Sequence, residues 1–79
     1  MWYVYIIRSR KSDYLYIGST NDLKRRISQH NSGSVSSTRP YHPFKLEASI
    51  AVKSKGKAIE LERYFKTGSG KAVLNKRIL

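Results

Sequence analysis

YLYIGSTNDLKRR, residues 14–26, is the stretch on which the fold turns. Its first five residues alternate, with Tyr14 and Tyr16 on one face and Leu15 and Ile17 on the other, so they read as a strand that ends at Gly18. A helix start follows. Thr20 or Asn21 is expected to cap it, and Asp22 suits the positive helix end. Leu23, Ile27 and His30 then fall at i, i+4 and i+7, the spacing of an amphipathic helix. Asn31–Ser32–Gly33 closes it, with Gly33 available for a left-handed cap. A strand that runs over small polar residues into a basic helix has two readings. It closes a small core, or it holds a tyrosine and an arginine against something negatively charged.

Upstream, WYVYIIR (2–8) is β-branched and aromatic. Tyr3, Tyr5 and Ile7 fall on one face and Trp2, Val4 and Ile6 on the other, so this strand is expected to be central and to pair with the second through the polar connection 9–13. Downstream, SVSSTRPYHP (34–43) is a Ser- and Pro-rich loop, near the length at which structureless loops are uncommon unless functional or mobile. FKLEASIAV (44–52) predicts a third strand with Leu46, Ala48, Ile50 and Val52 on one face. After KSKG, residues 57–67 predict a second helix, which GSG (68–70) breaks before a short basic tail that ends in a last helical turn. The expected fold is a single α/β (α+β) domain, 1–79, with a small three-stranded antiparallel sheet flanked by helices. Its order is β-β-α-β-α plus a C-terminal tail.

Composition narrows the function. A chain of 79 residues buries only roughly 60 % of its unfolded surface, so its core is modest. With no cysteine, disulfides and thiolate metal sites are excluded. There is no signal-peptide pattern and no run of ~20 apolar residues, which predicts a cytoplasmic protein with no membrane partner. Sixteen Lys and Arg against five Asp and Glu give a net charge of +11, the electrostatic footprint of a nucleic-acid partner.

Two helix positions break their own patterns. On the first helix Arg26 and His30 lie along the edge of the buried stripe, whereas Arg25 points away. The plain packing readings are a snorkelling arginine and a satisfied core-edge histidine. On the second helix Ala58, Leu61 and Phe65 form the apolar face, and Glu62 falls inside it while Glu60 points to solvent. A carboxylate there needs an ion pair, a hydrogen bond or a metal. An ion pair is the plain reading, but acids are scarce in this chain, and a hard cation such as Mg²⁺ or Mn²⁺ is the alternative. Tyr5 and Tyr16 lie on neighbouring strands, and Tyr16 precedes Gly18 at a strand end, where a hydroxyl reaches a cleft. Tyr16, Arg26 and Glu62 would then converge as an acid–base group, a fixed cation and a metal carboxylate, a set suited to phosphodiester hydrolysis.

The motif Tyr16–Gly18, an arginine eight residues after the glycine, a histidine four later, and A-x-x-x-E-x-x-x-K from Ala58 to Lys66 together resemble the GIY-YIG nuclease superfamily. The likeness spans essentially the whole chain and is strongest to small stand-alone bacterial members. It implies that Tyr16 is the general base or positions the attacking water, and that Tyr5 supports it. It further implies that Arg26 stabilises the pentacovalent phosphate, that His30 contacts substrate or relays a proton, and that Glu62 binds one divalent cation, Mg²⁺ or Mn²⁺. Asn75 matches a family asparagine loosely. The first motif reads Tyr3–Val4–Tyr5 and lacks its glycine, and Ser19 stands where a basic residue often follows the second motif.

The resulting expectation is a metal-dependent endonuclease that hydrolyses DNA, structure-directed in repair or recombination. Lys24, Arg25, Arg39, Lys66 and Lys71 would hold backbone phosphates. Three alternatives stay open: a module that binds nucleic acid without cutting it, a nuclease acting on RNA, and a subunit whose activity and specificity depend on a protein partner.

Overall fold

The computed structural model describes residues 1–79. β1 (Trp2–Ser9) is the middle strand of a three-stranded antiparallel sheet, between β2 (Leu15–Thr20) and β3 (Phe44–Val52). α1 (Leu23–Asn31) covers one face. α2 (Lys55–Phe65), α3 (Gly68–Val73) and a final π-helical turn (Leu74–Ile78) lie towards the other. The fold is α+β with the order β-β-α-β-α-α.

The alternation of β1 divides the core into two. Val4 and Ile6 join Ile17, Ala58, Phe65 and Leu74 beneath α2. Tyr5 and Ile7 join Phe44 beneath α1, with Tyr14, Tyr16, Leu23 and Ile27 packed around them. Because β1 is covered on both sides, its two faces are both apolar.

Several local expectations change. β2 continues to Thr20, which pairs with Tyr3, and α1 begins only at Leu23, so neither Thr20 nor Asn21 is the cap. Asp22 is the cap, its carboxylate accepting the Arg25 backbone N–H at 3.1 Å. Leu46 does not join Ala48, Ile50 and Val52 on one face. The β1–β3 register shifts between Ile6 and Ile7, leaving Glu47 as an extra residue, and the bulge turns Leu46 and Phe44 to the α1 side. Phe44 is buried there, but Leu46 remains 46 % exposed.

α2 starts at Lys55 and not at 57, because the Ser54 side chain accepts the Lys57 N–H at 3.2 Å and draws Lys55 and Gly56 into the first turn. α2 ends at Phe65, with Lys66 as its cap, and not at 67, and GSG opens α3 where a break was expected. Thr67 caps α3 by accepting the Gly70 N–H at 3.0 Å. A side chain at Gly70 would overlap the Tyr64 carbonyl, so glycine is what lets α3 fold back onto the end of α2. The tail thereby returns Leu74, 2 % exposed, to the core. The loop after α1 also has structure, a 3₁₀ turn at Arg39–Tyr41 that follows the fully buried Thr38.

Candidate active site

Tyr5 stands opposite Gly18 in the β1–β2 ladder, and its ring lies over the glycine backbone beneath α1. Around it stand Tyr16, with ring centroids 6.2 Å apart, and His30, at 5.6 Å. The Tyr5 hydroxyl is hydrogen-bonded to His30 Nε2 at 2.9 Å, and His30 Nδ1 to Thr38 Oγ1 at 2.8 Å. Arg26, one helical turn before His30, donates from Nε to the Tyr5 hydroxyl at 3.4 Å and from Nη1 to Gln29 Oε1 at 3.0 Å. Helix periodicity does this sorting: Arg26 is half-buried against the sheet, while Lys24 and Arg25 are exposed.

Burial sets the protonation of the cluster. It pushes the Tyr5 phenol above its ordinary value, against the opposing hydrogen bond from Arg26. It pushes His30 down to about 4, helped by the Arg26 charge. The hydrogen bond to Tyr5 raises Arg26, with desolvation opposing and Tyr16 contributing in the same sense. At neutral pH the group is thus a neutral phenol, a neutral imidazole and one fixed cation. His30 is 0 % exposed and offers no edge to a substrate, so any part it plays passes through Tyr5.

Glu62 approaches from the other layer. α2 packs on the Val4–Ile6 face, and Glu62 reaches the edge strand β2, where Ser19 Oγ donates to its Oε1 at 2.8 Å. Lys66 Nζ pairs with its Oε2 at 2.8 Å. Tyr16 and Arg26 therefore share the α1 face, and Glu62 stands beyond Gly18–Ser19, near enough for its charge to act on Tyr5. No group of three His, Asp or Glu side chains is arranged to hold a metal. Glu62 alone still fits Mg²⁺ or Mn²⁺ in the mode in which one carboxylate anchors an ion whose other ligands are water and phosphate. A cation, the Lys66 ammonium, already rests on that carboxylate.

The remaining expected residues spread outward. Arg25 and Arg26 line a polar recess of about 110 Å³ with Thr20, Asn21, Asp22 and Gln29. Lys66 and Lys71 border one of about 300 Å³ along β2, floored by Tyr14, Leu15, Tyr16 and Ile17. Arg39 is exposed and donates to the Gly33 carbonyl at 2.8 Å. Asn75 is exposed on the final turn. The largest recess, about 360 Å³ between Val52 and Tyr64, contains none of these residues. Ser19, Gln29 and Thr38 belong to the site without having been anticipated. Gln29, at i+3 from Arg26, is the one whose spacing carried a signal.

The GIY-YIG catalytic domain family matches residues 1–77. A UPF0213 protein of Vibrio campbellii is 39 % identical over 66 residues, which cover 82 % of this chain and 62 % of that protein. One of Streptococcus pneumoniae is 40 % identical over 65 residues, 81 % of this chain and 65 % of its own length. The chain thus spans somewhat less than two thirds of these relatives. Among solved structures, the solution NMR structure of a UPF0213 protein of Bacillus halodurans superposes with a TM-score of 0.56 at 37 % identity, covering 95 % of this chain and 83 % of that one.

Proposed function

The chain belongs to the GIY-YIG catalytic domain family, a family of nucleases, and from that premise we propose that it is an endonuclease that hydrolyses phosphodiester bonds in DNA with one divalent cation at Glu62. The observation that carries this reading is the arrangement of Arg26. A half-buried guanidinium is held at Nε by Tyr5 and at Nη1 by Gln29, beside a second tyrosine. Its remaining N–H groups are donors fixed in advance for the charge that develops on an attacked phosphate, the arrangement that stabilises such a transition state most effectively.

In this reading Tyr16, the half-buried phenol of the pair, orients the attacking water. Tyr5, buried and protonated, anchors Arg26. The water oxygen bonds to phosphorus as it gives up a proton, the bond from phosphorus to one ester oxygen breaks, and the leaving oxygen takes up a proton in turn, so that one water is added across the ester. Glu62, steadied by Ser19, would hold the cation, which when bound supplies charge neutralisation at the phosphate and acidifies bound water. The exposed Lys24, Arg25, Arg39 and Lys71 hold neighbouring phosphates, and Lys66 joins them once it leaves Glu62. DNA is preferred to RNA as substrate, with repair or recombination structures as the class and a protein partner as the source of further specificity.

One observation favours a second reading. Both oxygens of Glu62 are already engaged, by Ser19 and Lys66, which suits a module that binds nucleic acid without cutting it. The two separate in one experiment. Labelled duplex, single strand, flap, four-way junction and RNA are incubated with Mg²⁺, Mn²⁺ or EDTA. Cutting that requires the metal supports the nuclease. Tight binding with no cutting under either metal supports the binding module.

A further inference from the structure

The loop after α1 buries one side chain, Thr38, against the back of His30. We infer that Thr38 is a positioning residue: its hydroxyl fixes the tautomer of His30, and through His30 and Tyr5 it fixes the direction in which Arg26 is held.

Each proton of the cluster has one place to go. The Tyr5 oxygen has two neighbours, His30 Nε2 and the Arg26 Nε–H group, and the arginine can only donate. Tyr5 is 1 % exposed, so its own proton has one acceptor within reach, His30 Nε2. A proton on Nε2 would leave the tyrosine oxygen facing two donors and its hydroxyl proton without a partner. Buried donors are rarely left so, and every buried polar side-chain atom here has a partner. Nε2 is therefore the acceptor, and the imidazole proton sits on Nδ1.

Nδ1–H then donates to Thr38 Oγ1 at 2.8 Å, and the Thr38 hydroxyl passes its own proton to the Val35 carbonyl at 3.4 Å. That carbonyl is fixed in turn by the backbone N–H groups of Thr38 at 3.1 Å and Arg39 at 2.9 Å. The hydrogen bonds run in one sense: Arg26 to Tyr5, Tyr5 to His30, His30 to Thr38, and Thr38 to Val35. A chain of this kind polarises along its length. It engages the Arg26 Nε–H and leaves for an anion the guanidinium N–H groups that Gln29 does not hold. The role of Arg26 rests on the proposed nuclease function; the tautomer does not.

Thr38→Val keeps the shape and removes the acceptor. With Nδ1–H unmet, the proton moves to Nε2, which then donates to Tyr5 and sets donor against donor at Arg26. The test is long-range ¹H–¹⁵N NMR of the His30 imidazole in wild type, Thr38→Val and Thr38→Ser, with no metal or nucleic acid present, beside single-turnover kinetics. The expected result is an Nδ1–H tautomer in the wild type, lost in Thr38→Val and restored in Thr38→Ser. Cleavage by Thr38→Val should be slower by about tenfold, the worth of one charge-orienting hydrogen bond, with binding retained. An Nε2–H tautomer in the wild type, or one unchanged in Thr38→Val, overturns the inference. If Thr38→Val does not fold, Thr38→Ala, which also lacks the hydroxyl, is read in its place by the same criterion. A protein with the expected tautomer and no cleavage would contradict the nuclease reading and leave the tautomer standing.

Discussion

The Tyr5 ring occupies the space into which a side chain at Gly18 would project, its Cζ only 2.6 Å from where a Cβ would stand. The two residues face each other across the β1–β2 ladder, so the glycine of the second motif is a seat for the tyrosine of the first. Tyr5 cannot retreat, because it is 1 % exposed and tied to both His30 and Arg26. Gly18→Ala should therefore cost about 1–3 kcal/mol, the usual range for overpacking, and should disturb the site as well. Urea denaturation measures the first effect and cleavage the second; wild-type values for both would contradict this account of the pair.

His30 gives the fold a pH dependence of known sign. Its folded value lies near 4 against 6.5 when unfolded, so between those limits the unfolded chain takes up a proton that the buried site refuses. Stability contributed by His30 is full above 6.5 and falls as pH drops towards 4, by on the order of 3 kcal/mol in all. An NMR titration of the His30 ring should show a neutral imidazole throughout the weakly acidic range. A ring that protonates near its ordinary value would refute this.

The tail is part of the core, since Leu74 returns beneath α2 beside Phe65 and Ala58. Leu74→Ala should cost about 2–5 kcal/mol, a large share of the stability of a domain this small. A loss below about 0.5 kcal/mol, typical of surface positions, would mean that α3 and the final turn do not pack as described.

Much of this was legible from residue spacing alone. Two apolar faces on β1 placed it at the centre of the sheet, and helix periodicity separated half-buried Arg26 and Glu62 from exposed Arg25 and Glu60. Other features were not legible, for physical reasons. Periodicity says which side of a helix faces inward but not which face of the sheet it covers, so the approach of Glu62 from the layer opposite Arg26 was hidden. The bulge at Glu47 is set by pairing with β1, and a single strand carries no trace of it. Thr38 stands among Ser34, Ser36 and Ser37 with nothing local to mark it as the residue that turns inward. GSG reads as a break because glycine disfavours helix interiors, and only the packing of Gly70 against Tyr64 reverses that reading.

The charge of +11 should make binding strongly salt-dependent. If the basic residues engage about six phosphates, affinity should fall about 10³-fold between roughly 50 and 200 mM salt. Fluorescence anisotropy on a labelled oligonucleotide measures the slope. A flat profile would remove the phosphate contacts assigned to Lys24, Arg25, Arg39 and Lys71.

The central claim is that Arg26 and Glu62, held on opposite sides of β2, serve one phosphodiester cleavage. Single-turnover cleavage at saturating DNA with Mg²⁺ tests it most directly, comparing wild type with Arg26→Ala and Glu62→Gln while binding is followed separately. Cleavage should fall on the order of 10²-fold or more in each variant, with binding changed little, as expected for groups that act chiefly in the transition state. Equal cleavage by all three proteins would contradict the account.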